Sequence, residues 1–336
     1  MKISDELPLA EIGERYKLQN LQFVRRITEG VLSDNVVLSD GQRLLFFKTY
    51  NPKYSHEWIK KVHEVKQFFA DQGIPVILPI HDKLDDTSFE ANDRIHALFP
   101  YIEGRKLERG QLSPTALESA GTMLAKIHHA GSKNYPTDVN LQKLTWDWEE
   151  KVREQAELLE LATNKPEKSA FDAIAIPFMQ QKLIALQDNL KTVESFGMQH
   201  DHLLHGDYHD ANLFFDNKDQ VEFIFDWEKT AFGDRRFELL RAIDLSIFGG
   251  VYSDDRFDQA TIFIRAYNQH YPLTPEQFAM SIEWYWLHLL RGNWCLKEHY
   301  QLGNTRSDKF LPHNIATFDY FMKNADEYRD RLVSAL

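Results

Sequence analysis

The sequence predicts an α+β protein of two lobes, with an antiparallel sheet and one helix in the first lobe and mainly helices in the second. Strand-like runs separated by turn residues fill most of the N-terminal part, whereas segments with helical spacing dominate the later part. At 336 residues the chain is long enough for each lobe to bury its own core.

The N-terminal strands are expected at residues 23–27, 35–38 and 44–50, which are apolar runs with turn residues between them. Lys48 lies near the end of the third strand, among apolar neighbours. A lysine there can bind nucleotide phosphates when a carboxylate holds it in place. The alternative is a surface lysine that shields an edge strand.

The helix of the first lobe is expected at residues 58–70, where apolar residues recur at helical spacing. We predict that Glu64 on this helix pairs with Lys48. Glu57 is the competing carboxylate, but it lies at the helix start, where it already complements the helix dipole.

The most informative motif lies in residues 203–228. Asp207 is followed five residues later by Asn212, and Asp226 ends a short apolar strand. The two apolar runs between these residues flank a turn, so a hairpin should bring Asn212 beside Asp226. Phosphoryl transfer needs a carboxylate that accepts a hydroxyl proton and oxygen ligands that hold Mg²⁺. The pattern therefore predicts a kinase. The alternative is that the same residues only cap local turns.

This stretch resembles the aminoglycoside phosphotransferase and choline kinase superfamily, small-molecule kinases with a protein-kinase-like fold. Residues 205–207 read His-Gly-Asp and residues 225–228 read Phe-Asp-Trp-Glu, as in the two motifs of that superfamily. The resemblance implies that Asp207 is the catalytic base and that Asn212 and Asp226 are the magnesium ligands. It implies ATP or GTP as the phosphate donor.

One position departs from the family pattern. Where the family often has an Asp in a Pro-x-x-Asp-Leu context, this chain has Glu238 in Arg-Phe-Glu-Leu-Leu. The family's Asp braces the catalytic loop, so either Glu238 does this with a longer side chain or the loop is braced differently.

The resemblance also predicts nucleotide contacts in the first lobe. The turn after the first strand corresponds to a phosphate-covering loop, and residues 97–104 resemble the hinge where adenine bonds main-chain groups. The hinge divides the chain into an N-terminal lobe, 1–100, and a catalytic and acceptor-binding lobe, 101–336. The expected contacts are Gly30, Ser33 and Asn35 in the loop, and Phe99 and Tyr101 in the hinge.

Composition excludes some partners. The net charge of -12 argues against a general nucleic-acid binder, since phosphate affinity depends on clustered Lys and Arg. No apolar run approaches the roughly 18 to 20 residues that span a bilayer. The N-terminus lacks the features of a signal peptide, and Cys295 is the single cysteine. We therefore expect a cytoplasmic enzyme with no membrane partner.

The acceptor is expected to be a hydroxyl on a small molecule. Chains of this kind use aminoglycosides, homoserine, choline, methylthioribose or sugars, and fold resemblance does not choose among them. Trp284, Trp286 and Trp294 could hold a quaternary ammonium by cation–π attraction or could pack in the core. We expect core packing for at least two of them, because Trp284 and Trp286 cannot leave a helix in the same direction.

Two other function classes remain open. Histidines at positions 200, 202, 205 and 209, with nearby Asp residues, could form a zinc hydrolase site. A catalytically silent, kinase-like nucleotide-binding protein is the other alternative. The kinase interpretation explains more of the chain, because it also accounts for Asn212, Asp226 and Lys48.

Overall fold

A computed structural model describes residues 9–27, 34–132, 135, 147–189 and 199–336. The strands are β1 Gln22–Ile27, β2 Asp34–Ser39, β3 Leu44–Thr49, β4 Phe89–Ala91, β5 Arg94–Pro100, β6 His202–Leu204, β7 Leu213–Phe215, β8 Val221–Ile224 and β9 Ala231–Gly233. The helices are α1 Leu9–Arg15, α2 His56–Asp71, α3 Pro114–Gly131, α4 Trp148–Thr163, α5 Ala170–Asp188, α6 Arg235–Ile243, α7 Asp254–His270, α8 Pro275–Arg291, α9 Trp294–Tyr300 and α10 Leu311–Val333.

The N-terminal sheet is antiparallel, with the strand order β1-β2-β3-β5-β4. Its register sets Lys48 of β3 opposite Asn35 of β2 and Ala97 of β5. Side chains of directly opposed residues leave the same face of a sheet, so these three share one face. β5 ends at Pro100. The division into lobes 1–100 and 101–336 remains a prediction.

Helix α2 covers the face of the sheet that carries Lys48. It begins after Ser55, whose hydroxyl accepts a hydrogen bond from the Trp58 N–H at 3.1 Å. Ile59 packs with residues of β5, and Phe69 packs against Trp227 beyond β8 with ring centroids 4.8 Å apart. The helix therefore joins the sheet to the segment that carries the second sequence motif.

Several helices after β5 begin at side-chain caps that the sequence supplies. Ser113 caps α3, with Pro114 at its first position, and Asp147 caps α4. Ser169 and Thr274 form capping boxes at α5 and α8. Two short antiparallel ribbons, β6 with β9 and β7 with β8, lie among these helices. The predicted α+β class, with an antiparallel sheet followed by helices, is confirmed.

The largest hydrophobic cluster combines residues of α2, α3, α6, α7 and α8 with residues of β7 and β8. Separate clusters fill the space among α4, α5, α8 and α9 and the two faces of the N-terminal sheet. Within the described ranges, no helix combines the length and the apolar character that crossing a membrane requires.

The aromatic residues of α8 and α9 divide between the interior and the surface. Trp284 is 4% exposed and packs edge-on against Phe237, whereas Trp294 is 43% exposed. Trp286 is half-buried and stacks on Phe321 of α10, with ring centroids 5.2 Å apart. Trp284 and Trp286 therefore pack against other helices in different directions, as expected for at least two of the three tryptophans. Trp294 lies at the surface.

We predict that Trp284→Ala lowers the free energy of unfolding by about 3 to 5 kcal/mol, because it leaves a cavity beside Phe237. Trp294→Ala should cost less than about 1 kcal/mol, because much of that side chain already contacts water. Denaturant titrations of both variants measure the difference. Equal losses would contradict the assignment.

Candidate active site

The motif that contains Asp207 and Asn212 occupies the loop between β6 and β7. His209 precedes a single 3₁₀ turn at Asp210–Asn212, which leads directly into β7. The hairpin then returns, and the Phe225 N–H donates to the Asn212 carbonyl at 3.1 Å. Asp226 follows with a left-handed backbone, φ +66°, at the point where the chain leaves β8. The hairpin thus brings Asn212 beside Asp226.

Asp207 is held between two cations. Lys229 Nζ lies 2.8 Å from one carboxylate oxygen, and Arg241 Nη2 of α6 lies 2.6 Å from the other. Burial raises the pKa of Asp207, but Arg241 and Lys229 outweigh burial and hold this pKa well below its ordinary range. Asp207 is therefore ionised and fixed in direction.

Asn212 and Asp226 offer oxygens that suit a hard cation. Asn212 donates its Nδ2 to the Asp207 carbonyl at 2.9 Å, and its Oδ1 makes no hydrogen bond to any residue that the structure describes. The Asp226 side chain is 43% exposed although Lys48 contacts it. Because Mg²⁺ prefers carboxylate and amide oxygens, this pair fits a magnesium ion.

Lys48 bonds to two carboxylates, and neither belongs to α2. Its Nζ lies 2.9 Å from Glu228 Oε1 and 3.1 Å from Asp226 Oδ1. Burial lowers the pKa of Lys48, but Glu228 and Asp226 outweigh burial and hold it above its ordinary value. Burial raises the pKa of Glu228 to about 7, against the opposing effect of Lys48. Trp58 of α2 fixes the segment by donating Nε1–H to the Glu228 carbonyl at 3.1 Å.

The predicted pair between Lys48 and Glu64 is wrong. Glu64 is exposed on α2, and the competing Glu57 pairs with Lys61 in the next turn at 2.9 Å. The physical reason is the rotation of the helix, because residues 62, 63, 65 and 66 are buried and leave position 64 on the solvent side.

The buried face of α2 presents basic groups instead of an acid. His63 Nε2 lies 2.9 Å from the Tyr50 hydroxyl. Lys66 is 5% exposed, and its Nζ lies 4.2 Å from the centre of the Phe99 ring. Burial lowers the pKa of Lys66 to about 7, although Glu228 favours its charged form.

Glu238 braces the loop that carries Asp207. Its carboxylate accepts hydrogen bonds from the backbone N–H groups of His205 and Gly206, the first at 3.1 Å, and contacts His128 Nε2 at 3.0 Å. Gly206 has φ +85°, and a Cβ there would lie 1.9 Å from the Lys229 carbonyl oxygen. Glutamate at position 238 therefore braces the loop directly.

The remaining predicted contacts are distributed along the sheet. Asn35 shares the face of Lys48, and its buried Oδ1 has no hydrogen-bond partner among the described residues. Phe99 is buried in β5, and the Tyr101 N–H donates to the Leu44 carbonyl at 3.3 Å. Gly30 and Ser33 lie outside the described residues.

The histidines proposed for a zinc site bond to separate partners. His205 is fully buried, and its Nε2 lies 2.9 Å from the Phe225 carbonyl oxygen. His202 Nε2 lies 2.8 Å from the Tyr271 hydroxyl. In the ranges that the structure describes, no group of three or more His, Cys, Asp or Glu residues could hold a metal ion. The zinc hydrolase alternative therefore gains no support.

Sequence reasoning did not single out four charged residues of the site: Lys66, Glu228, Lys229 and Arg241. For two of them the sequence carried a signal, because Glu228 and Lys229 follow Asp226 within three residues. Arg241 is one helical turn beyond Phe237, and nothing local in the sequence marks it as a partner of Asp207.

Comparisons with known proteins agree with this geometry. The profile of the phosphotransferase enzyme family matches residues 24–276 of the chain. No curated protein matches the chain at a significant level. A spectinomycin phosphotransferase, solved with ADP and spectinomycin, has a TM-score of 0.69 at 16% identity, covering 95% of this chain and 98% of that chain.

Two further solved structures are similar. An amicoumacin kinase has a TM-score of 0.65 at 14% identity, covering 96% of this chain and 93% of its own. A choline kinase from Cryptosporidium parvum has a TM-score of 0.63 at 13% identity, covering 98% and 99%. With its kinase-like fold and a profile match over most of its length, the chain belongs to the phosphotransferase enzyme family.

Proposed function

We propose that this protein is a small-molecule kinase that transfers the γ-phosphate of ATP or GTP to a hydroxyl group of its acceptor. The observation that carries the proposal is the arrangement of Asp207, Asn212, Asp226 and Lys48 in one connected network. Proteins of similar fold include kinases of amicoumacin, choline and aminopropanol, which supports a small hydroxylated acceptor.

Asp207 orients the acceptor hydroxyl and accepts its proton as the new bond forms. Arg241 and Lys229 fix the direction of the carboxylate. Lys229 is half-exposed, so its ammonium can also turn toward a phosphate that approaches Asp207. Orientation and electrostatic stabilisation are the main contributions of a protein to this type of transfer.

The nucleotide end of the site consists of Lys48, Asn212 and Asp226. Asn212 Oδ1 and the Asp226 carboxylate would hold Mg²⁺, which when bound neutralises charge on the phosphates. Lys48 supplies a second positive charge from the sheet, and Glu228 aims it. Asn35 lies on the same face, and its Oδ1 has no partner among the described residues, so it remains our candidate for a phosphate-loop contact. Phe99 and Tyr101 remain our candidates at the hinge.

We expect Asp207→Asn to lower kcat by about a hundredfold or more, because an amide cannot accept the hydroxyl proton. Nucleotide affinity should change by less than about threefold, since this side chain faces the acceptor. Coupled nucleotide turnover over a panel of hydroxylated metabolites measures kcat, and calorimetry measures affinity. Turnover like that of the wild type would disprove the role of Asp207.

Asp226→Ala should weaken Mg²⁺–nucleotide binding by about tenfold or more and should also lower turnover, because a metal ligand is lost. Glu222→Ala is the matched control, since Glu222 is exposed on the same hairpin and should leave both quantities unchanged. Calorimetric titration with and without Mg²⁺ tests this. Full activity of wild-type protein in excess chelator would rule out the metal assignment.

The carboxylate that positions Lys48 can be identified by comparing Glu228→Gln with Glu64→Gln. Glu228→Gln should lower kcat/KM about tenfold or more, because Lys48 loses a charged hydrogen-bond partner. Glu64→Gln should stay within about twofold of wild type, because Glu64 is exposed. Steady-state kinetics of both variants is sufficient, and the reverse ranking would restore Glu64 as the partner.

A further inference from the structure

A chain of hydrogen bonds leads from Arg235 to Glu238, the residue that braces the loop carrying Asp207. His128 of α3 is fully buried, and its Nε2 lies 3.0 Å from Glu238 Oε2. The other ring nitrogen of His128, Nδ1, lies 2.8 Å from the hydroxyl of Tyr267 on α7. Arg235, the first residue of α6, donates Nη1–H to the same hydroxyl at 3.2 Å. Helices α6, α7 and α3 are thus connected in series to the bracing carboxylate.

The chemistry of the partners fixes the direction of each bond. A carboxylate accepts, so His128 donates its Nε2 proton to Glu238. Burial outweighs the effect of Glu238 and lowers the pKa of His128, so the ring is neutral and Nδ1 accepts from the Tyr267 hydroxyl. The Tyr267 oxygen in turn accepts from Arg235. All three donors therefore point toward Glu238, and bonds aligned in this way strengthen one another.

Arg235 anchors the chain at its far end. Its Nη1 and Nη2 donate to the carbonyls of Tyr271 and Pro272, just beyond α7, at 2.8 and 2.6 Å. Its guanidinium also lies 3.8 Å from the centre of the Tyr271 ring. A planar guanidinium held at several points keeps one orientation. The Tyr267 hydroxyl therefore meets a fixed donor, and its own proton is directed to His128.

Glu238 depends on such a partner more than a shorter acid would. A glutamate side chain has one more rotatable bond than an aspartate, so more freedom is lost when it is fixed. Its two oxygens must reach the backbone N–H groups of His205 and Gly206, which immediately precede Asp207. The bond from His128 selects the orientation of the carboxylate in which both oxygens do so.

We propose that His128, Tyr267 and Arg235 are positioning residues of the phosphoryl transfer, which act through Glu238 to set the direction of Asp207. This inference rests on the proposed kinase function. The three residues influence the reacting carboxylate without touching the acceptor or the nucleotide. Their loss should therefore slow the chemical step and spare nucleotide binding.

Two substitutions of His128 test the proposal. His128→Leu removes both bonds of the ring and should lower kcat by about tenfold or more. His128→Gln keeps an N–H donor for the carboxylate and should bring kcat back to within about threefold of wild type. Coupled turnover gives the rate, and calorimetry gives the number of nucleotide-binding sites by which it is divided. The Kd of Mg²⁺–ATP, or of Mg²⁺–GTP if the wild type binds that instead, should change less than about threefold in both variants.

The hydroxyl of Tyr267 provides an independent test with a matched control. Tyr267→Phe should lower kcat about three- to tenfold, because His128 loses its donor. In the His128→Leu background the same change should cost less than about twofold, since the chain is already broken. Tyr271→Phe is the control, because the Tyr271 hydroxyl bonds to His202 outside the chain and the phenyl ring still lies against Arg235. Its kcat should stay within about twofold of wild type.

A purely structural role gives a different pattern. It lowers the melting temperature and leaves kcat per nucleotide-binding site unchanged, and that result in His128→Leu would overturn the proposal. A His128→Gln variant as slow as His128→Leu, or losses that add fully in the double variant, would overturn it as well. If His128→Leu does not fold, equal rates in Tyr267→Phe and Tyr271→Phe would do so. Wild-type protein that binds neither nucleotide would instead disprove the kinase function itself, which distinguishes the two failures.

Discussion

The contact of Lys48 with Glu228 and Asp226 is the interaction on which the rest of the site depends. Its partners are 178 and 180 residues from Lys48 in the sequence, and it joins the N-terminal sheet to the segment after β8. Burial of Lys48 and Glu228 strengthens their interaction, because water screens these two charges little. The sheet, α2 and the β7–β8 hairpin all serve to bring these three side chains together.

The loop that carries Asp207 is held by a second buried charge. Glu238 bonds to the backbone of His205 and Gly206, and His128 of α3 bonds to the same carboxylate. Asp207 follows directly and receives Arg241 from α6. Helices α3 and α6 thus hold the loop through side-chain contacts.

Local spacing made part of this site predictable. Asp207 and Asn212 belong to one loop. The turn residues predict a hairpin, and this hairpin brings Asp226 to them. The antiparallel sheet followed, in the same way, from short apolar runs with turns between them. In these cases the interacting residues are close in sequence, so pattern alone sufficed.

The carboxylate that pairs with Lys48 could not be predicted from local sequence patterns. Which face α2 turns toward the sheet depends on the packing of Ile59 and Phe69, and a rotation by one residue exchanges Glu64 for a buried neighbour. Arg241 likewise reaches Asp207 through the packing of α6. Such contacts depend on tertiary structure, and no motif within a single segment encodes them.

The position of Glu228 has a consequence for regulation. In protein kinases, the lysine is paired with an acid on a helix, and displacement of that helix switches the enzyme off. Here the acid lies two residues after Asp226, on the same short segment, so neither ion-pair partner of Lys48 belongs to α2. Helix α2 reaches this pair only through the segment itself, where Trp58 donates Nε1–H to the Glu228 carbonyl, so a displacement of α2 would act on Lys48 indirectly.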